Sequence, residues 1–228
     1  LVRRTASELF AILERYAGRR FSAVLKVTPP IAEKFSPINP RTALVRNFPR
    51  AVEFAPEGKP PAEWSSREDA VCYIGRITPE RGIREMFLAC AAVIRTRPVK
   101  LLLGGDLSPG AQKIVESRPG QDLTSAEIFG YVDRQKIADI FRRTRVGLLL
   151  LHPERNFLIS YPTKLFEYMS AGIPVVASDF PIFRELDDGI GCCIFVDPLD
   201  HEAAAAAIIH LLEQDRKSTR LNSSHGKL

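Results

Sequence analysis

The sequence lacks any apolar run approaching the roughly 20 residues that a membrane-spanning helix needs. Its first ten residues, LVRRTASELF, also lack the continuous apolar stretch of a signal peptide. Both absences argue against a membrane-spanning protein. We expect a cytoplasmic one. The chain has 228 residues, of which 45% are apolar and 26% charged, so it can bury a sizeable core. Its length predicts one full domain plus part of another.

Cysteine is scarce and lacks the spacing of a metal site. The four cysteines are Cys72, Cys90, Cys192 and Cys193. They form no CxxC pair and have no flanking histidines, so we do not expect them to bind a metal. Buried free thiols in a reducing compartment are the simpler interpretation.

A strong excess of basic charge is also lacking once the last residues are set aside. Residues 215–228 carry four basic residues and one acidic residue, which leaves the remaining chain at +2 of the total +5. Their first part, DRKSTRLNSSH, is one translation of a common sequencing adapter, so we interpret 215–228 as a cloning or assembly scar. A natural basic tail is the alternative. With the tail excluded, the charge gives no support for nucleic-acid binding.

From residue 70 onward, short apolar runs alternate with helical patterns. The apolar runs are AVCYIG, VKLLLGG, AEIFGYV, VGLLLL, IPVVAS and CCIFV. The predicted helices lie near residues 82–96, 108–118, 133–143, 162–171 and 201–214. Strands that are apolar on both faces and separated by helices predict an α/β fold, with a doubly wound parallel sheet over residues 70–214.

The first 69 residues carry a different pattern. TASELFAILERYAGRR predicts an amphipathic helix and SAVLKVT a strand, which is too little to close a domain. We therefore expect residues 1–45 to be the remnant of a preceding domain. Residues 29–61 hold eight of the 17 prolines, a density that favours an extended linker over a packed helix. We place the interdomain linker at 46–69.

Ligands of an open parallel sheet bind beyond the carboxyl ends of its strands. The candidates that follow the apolar runs are Gly75, Arg76, Gly104, Gly105, Gly130, Tyr131 and His152. Glycines there allow the backbone to approach a ligand, but tight strand-to-helix turns need them as well, so both interpretations stay open. A histidine at a strand end is more often a hydrogen-bonded structural residue than a catalytic base.

The segment SYPTKLFEYMSAGIPVVASDF, residues 160–180, predicts a helix that begins at Pro162 and ends before Gly172. The side chains predicted to face the sheet are Leu165, Phe166 and Met169. Lys164 and Glu167 share another face of the helix. They form either a solvated ion pair or part of a ligand site, because the free N–H groups of the helix suit an anion.

Two arginines follow the first strand of the sheet, in the segment YIGRITPERG. Arg76 and Arg81 are either surface charges or a clamp for a diphosphate opposite the helix N-terminus. One hydrogen bond to a charged group contributes roughly 1.5–3 kcal/mol, against roughly 0.3–1 kcal/mol from a helix terminus. In a diphosphate site, the arginines would therefore carry most of the affinity.

Four segments together resemble the C-terminal, nucleotide-sugar-binding half of GT-B glycosyltransferases, specifically the retaining group called family 4. They are GRITPERG, LLLGGDL, IFGYVDRQKIADIFRRTRVGLLLL and PTKLFEYMSAGIPVVASDFP. The resemblance covers about residues 22–214 and implies a Rossmann-like donor-binding domain. It implies that the intact protein moves a hexosyl residue from a UDP- or GDP-sugar to a glycan or lipid-linked acceptor.

The resemblance also implies roles for individual residues. The implied contacts are Arg76, Arg81 and Lys164 with the donor diphosphate, Glu167 with the ribose hydroxyls, and Gly130, Tyr131 and Val132 with the base. Two acceptor oxygens suit Glu167 to that task. The family commonly carries a glutamate where Ile159 stands here. We therefore expect Asn156 or Ser160 to face the donor sugar instead.

No catalytic residue can be named, because the acceptor-binding domain of a GT-B enzyme precedes this one and only its last elements are expected here. No metal cofactor is expected either, since the arginines and the helix terminus would support the leaving diphosphate. A peripheral contact with the inner face of a membrane would come through the missing N-terminal domain. The alternatives are a nucleotide-sugar epimerase of the same fold and a fragment that only binds nucleotide or is inert.

Overall fold

A computed structural model describes residues 2–45, 48–49, 66–117, 119 and 126–213. The chain divides into two compact units, residues 1–48 with 159–161, and residues 49–158 with 162–228. The tail 215–228 and most of the predicted linker lie outside the described residues. The adapter interpretation and the predicted domain boundaries therefore stay predictions.

The N-terminal unit contains one long helix that is followed in the chain by a short parallel βαβ arrangement. Its elements are α1 Val2–Arg20, β1 Val24–Lys26, α2 Pro29–Phe35 and β2 Thr42–Leu44. Strands β1 and β2 pair in parallel. The buried amide of Asn39 donates to the backbone oxygens of Gly18 and Phe21, at 2.9 and 2.8 Å, and so fixes the end of α1. The helix and the strand predicted for this region are confirmed.

The proline-rich segment differs from the extended linker that the sequence predicted. Residues Pro29–Phe35 form helix α2, which begins with the prolines themselves. Proline is compatible with the first helical positions because its missing N–H would have no partner inside the helix and its φ already suits the helix. Proline density was therefore the wrong signal for residues 29–35, since the position of a proline within a helix matters more than its frequency.

The larger unit is built on a parallel sheet, as predicted. The strands of its described residues are β3 Ala70–Ile74, β4 Lys100–Gly104, β5 Ala126–Ile128, β6 Val146–Leu149, β7 Val175–Ser178 and β8 Cys193–Val196. Their order is β5-β4-β3-β6-β7-β8, and every neighbouring pair is parallel. Each of the six apolar runs is one strand.

The described helices of this unit are α3 Ile83–Ile94, α4 Pro109–Glu116, α5 Arg134–Arg143, α6 Arg155–Leu158, α7 Thr163–Ser170, α8 Pro181–Asp187 and α9 His201–Glu213. Each of the five predicted helices is confirmed to within two residues at either end. Helices α6 and α8 are short and were not predicted, although α8 carries a recognisable start signal in its first residue, Pro181.

Helices cover both faces of the sheet. Val146 and Leu148 belong to a continuous core that also contains residues of α3 and α9. Gly147 lies between them and faces the other side, because side chains alternate along a strand. There it contacts Tyr168 of α7, whose ring lies 5.3 Å from that of Phe141 in α5. The fold is therefore the doubly wound α/β class that the sequence predicted.

The direction of winding reverses between β3 and β6. The chain runs outward from β3 through β4 to β5, then returns to the other side of β3 as β6. Strand β3 pairs with β4 along its full length, whereas its registered pairs with β6 are Val71↔Val146 and Cys72↔Gly147. A doubly wound sheet forms its ligand crevice at such a switch point, beyond the carboxyl ends of the strands.

Candidate functional site

A cavity of about 600 Å³ lies at the carboxyl ends of β3 and β4. The turn after β3 contributes Gly75 and Arg76, and the segment after β5 contributes Tyr131 and Val132. Lys164, near the start of α7, also lines this cavity. Residues from separate parts of the sequence therefore meet at the sheet edge where strand order predicts a ligand.

The glycines after β3 and β4 serve the packing of their own turns. Gly75 donates its N–H to the oxygen of Gly104 at 2.8 Å, and Gly105 donates to the oxygen of Gly130 at 2.6 Å. Gly105 has a φ of 139°, and a Cβ added to it would overlap the carbonyl oxygen of Gly75. These contacts need glycine whether or not a ligand binds, so the glycines alone do not indicate a site.

Arg81 is connected to the turn of Arg76 through a tyrosine. Its Nη1 donates to the Tyr73 hydroxyl at 3.2 Å, and that hydroxyl donates to the backbone oxygen of Arg76 at 3.2 Å. The guanidinium also lies 5.2 Å from the ring centroid of Phe157, a distance typical of a cation–π contact. Arg81 is not among the described residues that line the cavity. It therefore supports the Arg76 turn rather than facing the cavity directly.

Lys164 and Glu167 form an ion pair at the cavity. The Nζ of Lys164 lies 2.6 Å from Oε2 of Glu167, and the two side chains are 21% and 12% exposed. Lys164 faces the cavity, with its Cε 3.6 Å from the position that a Cβ on Gly75 would occupy. Glu167 is not among the described cavity-lining residues. The pair is therefore partly buried, in contrast to the solvated pair that was one of the two sequence interpretations.

Helix α7 begins and ends nearly where the sequence predicted. Pro162 is the residue that precedes the first helical residue, rather than the first helical residue itself. Gly172 follows the last helical residues with a φ of 62°, a left-handed conformation that suits glycine at a helix end.

The buried face of α7 differs in part from the prediction. Leu165 is buried as expected, but Phe166 and Met169 are half-buried, and Tyr168 is fully buried in their place. The reason is Gly147, where an added Cβ would lie 2.8 Å from the Tyr168 ring. The missing side chain on β6 thus leaves the space that the ring fills.

The Tyr168 hydroxyl lies between β3 and β6. It accepts a hydrogen bond from the Ile74 N–H at 3.4 Å and donates to the Cys72 oxygen at 3.3 Å. Burial raises the pKa of Tyr168, so the phenol remains protonated and able to donate. This contact fixes α7, and hence Lys164, against the switch point of the sheet.

Two of the residues predicted near the base line the cavity, whereas the residues predicted near the sugar belong to other segments. Tyr131 lines the cavity with 79% of its surface exposed, and Val132 packs against Gly104 at the cavity wall. Asn156 lies in α6 and does not line the described cavity. Ser160 lies in the segment 159–161, which belongs to the N-terminal unit. Of the residues predicted near the base, Tyr131 and Val132 line the cavity and Gly130 does not, and Asn156, predicted near the sugar, lies outside that lining.

His152 lies just beyond β6 and contacts elements around the site. Its backbone N–H donates to the oxygen of Glu80 at 2.9 Å. Its Nε2 lies 3.1 Å from Oε2 of the buried Glu85, without the alignment of a hydrogen bond. These contacts tie the end of β6 to the turn before α3, in keeping with the structural role expected for a strand-end histidine.

A cluster of Asp187, Cys192 and Cys193 lies at the amino end of β8, across the sheet from the cavity. The Asp187 carboxylate accepts the backbone N–H of Cys192 at 2.8 Å and that of Cys193 at 3.3 Å. The adjacent Cys193 thiol and burial raise the pKa of the Cys192 thiol. Through these two backbone N–H groups, the Asp187 carboxylate caps the amino end of β8.

No helix in the described ranges is long and apolar enough to cross a membrane. The fold and the cavity together define a class of protein: a doubly wound α/β domain with two cationic side chains in a cavity beyond the carboxyl ends of its strands. Within that class, the chain belongs to the family described as Glycosyl transferases group 1, whose model matches residues 68–214. The family match confirms the resemblance to glycosyltransferases.

Individual relatives agree with this assignment. The chain is 23% identical to a glycogen synthase of Mycobacterium tuberculosis over 195 residues, which are 83% of this chain and 44% of that protein. Its structure is similar to sucrose-phosphate synthase from Thermosynechococcus elongatus, with a TM-score of 0.69, 21% identity, and coverage of 91% of this chain and 53% of that one. For Anabaena HepE in complex with UDP and glucose, the TM-score is 0.68, the identity 17%, and the coverages 92% and 59%. The chain thus spans about half the length of these proteins, and the structural likeness shows the shared fold.

Proposed function

We propose that this chain is the donor-binding part of a retaining, family 4 glycosyltransferase. The longer protein would transfer a hexosyl residue from a UDP- or GDP-sugar to a glycan or lipid-linked acceptor. One observation carries the proposal: Arg76 and Lys164 line a single cavity at the carboxyl edge of the sheet, inside the segment 68–214 that matches the family. A relative of the same fold, HepE, was solved with UDP and glucose, which supports a nucleotide-sugar donor.

Two cationic side chains would bind the donor diphosphate. Arg76 is exposed, and its planar guanidinium can donate two parallel hydrogen bonds to phosphate oxygens. Lys164 adds a second charge at the start of α7, where the backbone N–H groups also favour an anion. Asp106 lines the same cavity, but its side chain is exposed, so water screens its opposing charge.

The same cations would support the departure of the diphosphate from the sugar. Positive charge fixed where negative charge develops stabilises a transition state, because the groups need no reorganisation during the reaction. Arg81 would act through its hydrogen bond to Tyr73, which holds the backbone of Arg76. Burial raises the pKa of Tyr73, so its hydroxyl stays a donor.

The nucleoside would lie beside Tyr131 and Val132. Both residues line the cavity, and the largely exposed Tyr131 ring offers an apolar face on which a base can stack. The exposed aromatic ring and the two cations of the cavity thus match the two chemical halves of a nucleoside diphosphate.

A second function applies to this chain by itself: binding of the nucleotide without transfer. It is favoured by the share of the relatives that the chain covers, which is 44% of the glycogen synthase and 53% of the sucrose-phosphate synthase. The family match favours transfer over the epimerase alternative for the longer protein. Analysis of its products with a nucleotide-sugar and candidate acceptors separates these possibilities.

Calorimetric titration of the 228-residue chain with UDP, GDP and their monophosphates tests the binding assignment. We expect UDP or GDP to bind at one site and more tightly than the matching monophosphate, because the second phosphate adds contacts to Arg76 and Lys164. Absence of binding by both diphosphates would contradict the proposal, as would equal affinity for UDP and UMP.

A further inference from the structure

Lys164 contacts both the cavity and Glu167. Its ammonium group lies 2.6 Å from the Glu167 carboxylate, and only the lysine belongs to the described lining of the cavity. Glu167 is the less exposed of the two side chains. The lysine therefore contacts both the cavity and the carboxylate, and the carboxylate neutralises the cation that a ligand would use.

Burial makes this pair stronger than an ordinary pair on a helix surface. Exposed pairs three residues apart contribute little, because water screens both charges. Here both side chains are at least about four-fifths buried, and the short contact is a charge-assisted hydrogen bond. Any anion that uses Lys164 must therefore compete with Glu167.

The outcome of that competition depends on the ligand. When Lys164 turns to a diphosphate, the carboxylate of Glu167 is left partly buried and without its partner, which is costly. A hydroxyl donor from the ligand removes this cost, because a carboxylate accepts such hydrogen bonds well. The ribose of a nucleoside diphosphate carries two neighbouring hydroxyls, whereas inorganic diphosphate carries none.

We propose that Lys164 and Glu167 exchange partners when a nucleoside diphosphate binds: Lys164 moves to the diphosphate, and Glu167 accepts from the ribose. The exchange makes Glu167 a determinant of specificity, since it holds Lys164 back from diphosphates that lack a ribose. This inference rests on the proposed function, because it takes the cavity to bind nucleoside diphosphates. It differs from a purely ribose-binding role in the effect expected on inorganic diphosphate. Neutralising Glu167 should increase the affinity for this ligand, whereas a purely ribose-binding role predicts no increase.

The test titrates wild type and Glu167→Gln with inorganic diphosphate, UDP and GDP. The matched control is Asp139→Asn, which removes the same charge from an i,i+3 pair with Arg142 on α5, where the side chains are 50% and 45% exposed. We expect Glu167→Gln to bind inorganic diphosphate about 3- to 10-fold more tightly and the nucleotides more weakly. Asp139→Asn should change each affinity by less than about twofold.

A second pair of variants, both carrying Lys164→Gln, distinguishes the exchange from simple electrostatic repulsion between the Glu167 carboxylate and the diphosphate. In Lys164→Gln, the further change Glu167→Gln should leave the affinity for inorganic diphosphate nearly unchanged, because there is no cation left to release. A gain that persists without Lys164 would overturn the exchange. If Glu167→Gln fails to fold, Glu167→Asp withdraws the carboxylate from Lys164 and should give a smaller gain of the same sign.

Each remaining outcome also decides the matter. Equal affinity of wild type and Glu167→Gln for inorganic diphosphate would show the exchange to be wrong, whatever the nucleotides do. If Glu167→Gln binds inorganic diphosphate more tightly than wild type but neither protein binds a nucleotide, the competition of Glu167 for Lys164 is supported. The proposal that the cavity binds nucleoside diphosphates is then contradicted. Absence of all binding in both proteins would contradict both proposals, and a gain of the same size in Asp139→Asn would overturn the exchange in favour of net charge.

Discussion

The two ends of the same parallel sheet use charged residues in different ways. At the amino end, Glu68 accepts from Arg143 at 2.7 Å and from Lys100 at 2.6 Å, and Arg143 also contacts Glu127 at 3.0 Å. Asp69 pairs with Arg97 at 2.5 Å and with Arg145. These cations therefore have carboxylate partners elsewhere in the chain, in the segment before β3 and in β5.

At the carboxyl ends of β3 and β4, two cations, Arg76 and Lys164, line a cavity instead. Arg76 lines it in an exposed position and forms none of the ion pairs found among the described residues. Arg81 contacts a phenol, and Lys164 has a partner on its own helix. The comparison teaches that charge at a sheet edge does not by itself indicate a site. Cations paired across elements hold the fold, whereas Arg76 and Lys164 face a cavity.

The change Gly105→Ala should have the largest effect. Its added Cβ would overlap the carbonyl oxygen of Gly75 in a backbone conformation that alanine rarely adopts, so the turn that carries Arg76 must move. We expect a loss of about 2–4 kcal/mol in the free energy of unfolding, measured by denaturant titration. Unchanged stability together with unchanged UDP binding would show that the two turns are not packed as described. The control is Gly130→Ala, because Gly130 also has a positive φ but its added Cβ would meet nothing within 4 Å. The difference between the two losses of stability therefore reports the steric overlap at Gly105.

Arg76→Ala should have the next largest effect, and on binding rather than stability. Loss of its charge-assisted hydrogen bonds should cost roughly 1.5–3 kcal/mol of UDP or GDP affinity, or about 10- to 100-fold. The control is Arg97→Ala at the amino end, which should lower stability and leave the affinity unchanged. Equal losses of affinity in the two variants would remove the distinction between the two ends.

Glu68→Gln should have the smallest effect, and one that depends on pH. Hydrogen bonds from Arg143 and Lys100 lower the pKa of Glu68 from 4.5 to about 2. A carboxyl whose pKa is lowered by folding stabilises the protein above its unfolded pKa, and the contribution disappears as the pH falls through the folded pKa. Because the side chain is about one-third exposed, we expect a loss of only about 0.5–1 kcal/mol at pH 7.

Thermal unfolding of wild type and Glu68→Gln between pH 7 and pH 2 checks this prediction. The difference between the two melting temperatures should shrink as the pH falls from about 4.5 toward 2, since wild-type Glu68 then becomes neutral too. A difference that stays constant over this range would mean that the ionised form of Glu68 is not what stabilises the amino end.

The sequence predicted the sheet and most of its helices because those signals are local. Apolar runs identify strands that are covered on both faces, and Pro162 and Gly172 frame α7 through their own backbone preferences. The position of Arg76 at the ligand edge also followed, since it needs only the end of a strand and the parallel topology. These features depend on neighbouring residues and on a general rule of sheet geometry.

Other features depend on residues distant in the chain and could not be predicted in the same way. Tyr168 is buried where Phe166 and Met169 were expected, because Gly147 on another strand leaves room for its ring. Lys164 pairs with Glu167 rather than with solvent because both side chains are largely buried in the folded protein. Asn156 was assigned to the sugar by resemblance alone, and its helix lies outside the cavity lining.

A crystal structure of the chain with UDP or GDP, whichever binds more tightly, tests the central claim most directly. We predict that the diphosphate lies at the carboxyl ends of β3 and β4 within hydrogen-bonding distance of both Arg76 and Lys164. Lys164 should then have left Glu167, whose carboxylate should accept from the ribose hydroxyls. A nucleotide bound elsewhere would contradict the account, as would a diphosphate in this cavity that contacts neither Arg76 nor Lys164.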